Sequence, residues 1–132
     1  MEVDFSTIPR VRARDAEIHR PTAQPADIEA MIKVALHQHE FPLRNAALVA
    51  VFADTGIRRA ELSMVDFDDV DMNQGTMYVR HGKGGKQRLI GVGAEARARL
   101  WGYFVDKKRG RGLRPGPLFL ARGGRRLSAG AM

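Results

Sequence analysis

At 132 residues, 44% of them hydrophobic, the chain can close one core and bury roughly two-thirds of its unfolded surface, so no disulfide or metal staple is needed. It contains no Cys, which excludes a disulfide framework, a thiolate metal site and a cysteine nucleophile. The net charge of +7 is unevenly divided, with 8 Lys and Arg against 13 Asp and Glu in residues 1 to 75, and 14 against 2 in residues 76 to 132. A second half this basic suits a polyanion, nucleic acid before a membrane surface or an acidic protein, the competing reading being a solvated Arg-rich surface.

Residues 1 to 21 (MEVDFSTIPRVRARDAEIHRP) show no sustained period and read as a linker or arm. They also lack the apolar stretch of a signal peptide. From Thr22 onward Ile28, Met31, Ile32, Ala35 and Leu36 recur on one helical face, with Thr22 or Gln24 as cap and Pro25 in the first turn, which predicts a helix to about His39. Pro42 breaks it, and Leu43 to Ala53 form a second helix, apolar all round in its later half and therefore central. Its run AALVAVFA falls far short of the ~20 residues that span a bilayer, so the chain is expected to be soluble and intracellular. Gly56 suits the left-handed position that ends this helix.

Thr55 is expected to cap a short third helix, with Arg58 in its first turn and Glu61 one turn on. VDFDDVDMNQG predicts a strand and its hairpin turn, and TMYVRHG and KQRLIGV two more strands around a glycine-rich turn at Gly82 to Gly85. Ala94 to Arg109 form a fourth helix, with Ala96, Leu100, Trp101, Phe104 and Val105 inward and Gly110 as the stop. LFLA is a short apolar segment, and Ser128 reads as the N-cap of a further helical turn. The fold class is α+β, mainly helical with a small three-stranded antiparallel sheet.

Arg58 poses the functional question. An arginine in a first turn opposes the helix macrodipole at a cost of about 0.3–1 kcal/mol, so local helix energetics do not explain it. A phosphate would, because backbone N–H groups at a helix start and a guanidinium fork converge on such an oxygen. The alternative is that Arg58 or Arg59 pairs with Glu61 or Asp54 as an ordinary ion pair. GKGGK likewise reads either as a reaching hairpin or as a flexible turn with incidental lysines; its spacing fails the P-loop pattern. No histidine pair has ligand spacing, since His37 and His39 point to different helix faces and His19 and His81 stand alone, so no metal and no cofactor are expected.

TGIRRAEL, then VDFDDVD, then HGKGGKQRLIGV, together with LFLARGGRRLSAGAM, resemble the tyrosine recombinases, or phage-type integrases, from about residue 22 to the C-terminus. The resemblance implies the N-terminal portion of a catalytic domain over residues 22 to 132, acting in DNA integration or site-specific recombination. Arg58 would bind a non-bridging oxygen of the scissile phosphate, Lys83 would protonate the leaving 5′ oxygen, and Glu61 would steady the site. Arg59, Lys86 and Arg88 would contact the DNA backbone. Double-stranded DNA and neighbouring recombinase protomers are the implied partners, and a bacterial cytoplasm with its nucleoid the implied compartment.

The family's downstream His-x-x-Arg, later His or Trp, and tyrosine nucleophile do not follow in this sequence, while Tyr78 and Tyr103 lie upstream of the nucleophile's place. The expectation is a fragment that does not cleave DNA alone. The competing readings are a non-catalytic DNA-binding module and an interaction partner of a complete recombinase.

Overall fold

Pro25, with its fixed φ and missing N–H, opens the first helix at the position where that N–H has no intrahelical partner. The computed structural model describes residues 24–80 and 85–132, so the expected arm, Thr22, and His81, Gly82, Lys83 and Gly84 lie outside the described residues. Helix α1 (Pro25–Leu36) is capped at Gln24, whose backbone N–H donates to the Asp27 carboxylate at 3.2 Å. It buries Ile32 and Ala35 but leaves Met31 51% exposed, against the expectation that Met31 faces inward. The helix also stops short of His39, because His37 closes it by donating its N–H to the carbonyls of Lys33 and Val34.

Phe41 takes a left-handed φ of 52°, unusual without glycine, and turns the chain into α2 (Pro42–Thr55). Pro42 therefore starts the second helix but does not end the first, which His37 has already closed. Ala46, Ala47, Leu48, Ala50 and Val51 are buried where α2 packs against α1 and α4 (Ala94–Phe104). Gly56 adopts φ +68° and donates to the Phe52 carbonyl, the expected stop.

Thr55 departs from expectation. It is the last residue of α2, its hydroxyl donating to the Val51 carbonyl at 2.7 Å and accepting the Ile57 N–H at 3.2 Å. The buried Ile57 holds the next residues extended, which moves the third helix, α3 (Arg59–Ser63), downstream and leaves Arg58 at its N-cap rather than in its first turn.

The long strand expected over VDFDDVD is also replaced. Phe67–Asp69 winds as a 3₁₀ turn, because the Asp69 carboxylate accepts the Asp66 N–H at 2.9 Å, and β1 is only Val70–Asp71. β1, β2 (Thr76–Val79) and β3 (Arg88–Gly91) form an antiparallel sheet in that order, with Val70 opposite Met77 and Val79 opposite Arg88. Met77 and Val79 point into the core.

Helix α4 ends five residues before the expected Arg109, and Lys107–Arg109 forms a separate 3₁₀ turn. Its inward face is Ala96, Leu100, Tyr103 and Phe104; Trp101 and Val105, expected inside, are half exposed. The break lets Arg109 turn into the core, where it donates to the carbonyls of Gly112, Pro117 and Leu118 and lies over the rings of Phe67, Tyr103 and Phe104. Leu118, Phe119 and Leu120 are buried, and the Leu118 N–H bonds the Val65 carbonyl at 3.0 Å. Ser128 stands at the N-cap of a final 3₁₀ turn, Ala129–Ala131.

Candidate functional site

The sequence TGIRRAEL places Arg58 and Glu61 three residues apart at a helix start, the spacing at which an N3 carboxylate reaches back to the cap N–H. That bond forms: the Arg58 N–H donates to Glu61 Oε1 at 3.1 Å. Glu61 is buried, yet the Arg58 side chain is exposed and has no ion-pair partner among the described residues. The alternative pairing with Glu61 or Asp54 is thereby excluded within the described structure. Asp54 instead accepts the Gly93 N–H at 2.7 Å, and Glu61 turns to Arg88.

Arg88 donates from Nη1 to Glu61 Oε2 at 2.8 Å and from Nη2 to Oε1 at 3.0 Å, a bidentate pair between the start of α3 and the start of β3. The hydrogen bonds to Glu61 raise the Arg88 pKa above its ordinary value. The site thus brings Arg58, Glu61 and Arg88 together. Arg59 and Lys86 are exposed nearby in sequence, without described ion pairs, and Lys83 lies outside the described residues. A shallow concavity bounded by Arg58, Arg59, Ala60, Ala129 and Gly130 forms where α3 meets the C-terminal turn, a contact that residue spacing could not show.

Sequence reasoning missed a second carboxylate of the same kind. Asp69 repeats the Glu61 arrangement three residues after Asp66, and its Oδ1 accepts Nε and Nη2 of Arg80 at 2.9 and 2.8 Å. The recurring i, i+3 spacing of Asp66 and Asp69 was the available signal. Arg126 also ties the C-terminal segment to this region, donating to Asp66 Oδ1 at 2.6 Å and to the Ser63 carbonyl at 3.0 Å.

Neither tyrosine is set up as a nucleophile. The Tyr103 hydroxyl is buried and accepts the Leu120 N–H at 2.9 Å, and burial raises its pKa. Tyr78 donates to the Gln87 side chain. Among the described residues no group of His, Cys, Asp and Glu could hold a metal ion, and no helix is long and apolar enough to cross a membrane.

The phage integrase family model matches residues 22–132. The chain belongs to the phage integrase family. Among relatives of this integrase-family chain, the tyrosine recombinase XerC of Chromobacterium violaceum is 35% identical over 108 residues, 81% of this chain and 35% of that protein. The tyrosine recombinase XerD of Mycobacterium leprae is 44% identical over 90 residues, 63% of this chain and 28% of that protein. The chain thus spans about a third of the length of these relatives. The crystal structure of XerA recombinase matches with a TM-score of 0.64 at 28% identity, over 85% of this chain and 39% of that one. The Tn1549 transposon integrase, solved with circular intermediate DNA, matches with a TM-score of 0.62 at 18% identity, over 86% of this chain and 41% of that one, a likeness of fold.

Proposed function

We propose that residues 22 to 132 form the N-terminal portion of a tyrosine-recombinase catalytic domain that binds duplex DNA in site-specific recombination. Arg58 takes a non-bridging oxygen of the scissile phosphate, neutralising charge that grows in the transition state. Lys83 protonates the leaving 5′ oxygen, a general-acid task worth about 10²–10⁴ in rate. Glu61 steadies the site, and Arg59, Lys86 and Arg88 meet the DNA backbone. The observation that carries this reading is the exposed Arg58 guanidinium, without an ion-pair partner among the described residues, on a backbone that the buried Glu61 holds in place. Recombinase protomers assembled on the same DNA, in a bacterial cytoplasm, are the expected company.

Duplex DNA binding is expected to fall with salt at a slope of log K against log concentration near −5, if about six phosphates are neutralised. Fluorescence anisotropy between 50 and 200 mM salt measures it; a salt-independent affinity would remove nucleic acid as the partner. A nicked suicide duplex should yield no covalent adduct on a denaturing gel, because the Tyr103 hydroxyl is buried on the Leu120 N–H and both tyrosines lie upstream of the place the family's nucleophile takes. An adduct mapping to Tyr78 or Tyr103 would overturn that assignment.

A further inference from the structure

We propose that the C-terminal turn Ala129–Ala131 is the second wall of the phosphate site: one DNA phosphate seats between Arg58 and Arg59 on one side and the small residues Ala129 and Gly130 on the other. The inference rests on the functional reading above, that Arg58 is present for a phosphate. The concavity between α3 and this turn is bounded by Arg58, Arg59, Ala60, Ala129 and Gly130 and holds about 440 Å³, within the span of ligand clefts. The charge along its rim is of one sign. Both arginines are exposed and without ion-pair partners among the described residues, and the carboxylate of α3, Glu61, is buried and turned to Arg88. Two uncompensated guanidinium groups facing residues with little or no side chain suit an anion that brings bulky neighbours, as a phosphate within a DNA strand does.

Gly130 is not required by the backbone. Gly123 and Gly124, just upstream, take φ of +86° and +80°, which glycine alone adopts freely. Gly130 has no positive φ, and a Cβ at that position would meet no atom within 4 Å. The missing side chain therefore serves to keep the concavity open. The turn is also held from two directions. Arg126 donates to Asp66 Oδ1 at 2.6 Å and to the carbonyl of Ser63, the last residue of α3, at 3.0 Å, while the buried Leu127 donates its N–H to the Phe119 carbonyl at 3.0 Å. One end of α3 thus anchors the segment whose continuation faces the arginines at the other end.

The test measures affinity for a 20-base-pair duplex, its salt slope and the thermal midpoint in the whole chain. Gly130→Glu puts a carboxylate beside the two arginines, and should weaken binding about 10-fold and lower the salt slope by about one, with the midpoint held. Gly130→Gln, of the same size without the charge, should lose clearly less. Gly102→Glu, which makes the same change of charge on α4 outside the concavity, should stay within about twofold of wild type at 0.15 M salt, where the Debye length is about 8 Å. Should Gly130→Glu fold poorly, Ala129→Glu carries the same expectations. A folded Gly130→Glu that binds as Gly102→Glu does would overturn the proposal, and a loss in Gly130→Gln equal to that in Gly130→Glu would overturn the assignment to a phosphate. The functional reading fails separately: an Arg58→Ala variant with wild-type affinity and slope would overturn it, whereas Arg58→Ala weakened beside an unaffected Gly130→Glu would overturn the second wall alone.

Discussion

Glu61→Ala is expected to lower the thermal midpoint by roughly 10–15 °C, the equivalent of about 3 kcal/mol in a domain of this size. Glu61 is 3% exposed and gathers the Arg58 N–H and both terminal nitrogens of Arg88. Its removal leaves a helix-start donor without its carboxylate and opens space in the wall of the core. The Arg88 side chain is 44% exposed and can turn to water, which keeps the cost below that of a stranded, fully buried charge. Glu61→Gln retains an acceptor for the Arg58 N–H and should lose about half as much. Circular-dichroism melts of the two variants make the measurement. A midpoint within about 2 °C of wild type for Glu61→Ala would show that the triad carries no stability.

Arg109→Ala has a comparable expected effect for a different reason, about 3–5 kcal/mol. Arg109 is 5% exposed, supplies hydrogen bonds to three carbonyls, and lies 5.2 to 5.6 Å from the centres of three aromatic rings. Truncation strips those carbonyls of a donor and leaves a cavity between Phe67, Tyr103 and Phe104. Arg109→Met fills most of that volume and should recover part of the loss. Urea unfolding with an unchanged m-value reads the change as stability alone. The DNA affinity of the folded protein should stay as in wild type, because this cation is inside the core. A stable Arg109→Ala with weakened DNA binding would place Arg109 on the binding surface instead.

Arg109 also shows where the sequence was legible and where it was not. Arg109 read as the end of a helix stopped by Gly110, and only the tertiary fold reveals that it points inward to fasten the loop before Leu118. The apolar run of α2 and its Gly56 stop were plain because a core helix and a left-handed φ leave marks in composition, but the expected burial on all sides was not met: Ala53 is exposed and Val49 and Phe52 are half-buried. Local hydrogen bonds decided the errors. Thr55 bonds back to Val51 rather than forward into a new helix, and Asp69 winds VDFDDVD into a 3₁₀ turn that alternation had suggested was strand. Trp101 and Val105 fit an apolar stripe, but Tyr103 occupies the inward position because its hydroxyl finds the Leu120 N–H.

At the site, the resemblance carried by TGIRRAEL and GKGGKQR put Arg58, Glu61 and Arg88 in one expected site, and the fold brings the three residues together. The pairing itself was not legible, since Arg88 lies 27 residues from Glu61 and its bidentate geometry depends on the sheet register. Asp69 and Arg80, 11 residues apart, were missed for the same reason.

The central claim is that Arg58 is present for a DNA phosphate, and Arg58→Ala tests it most directly when thermal midpoint and duplex affinity are measured on the same preparation. The exposed side chain sits at a helix start that disfavours a cation, so the midpoint should stay within about 2 °C of wild type. Affinity should fall about 10- to 100-fold, the range of a charge-assisted hydrogen bond, and the salt slope should lose about one. A midpoint that drops steeply while DNA affinity and slope hold would contradict the account and make Arg58 a structural residue.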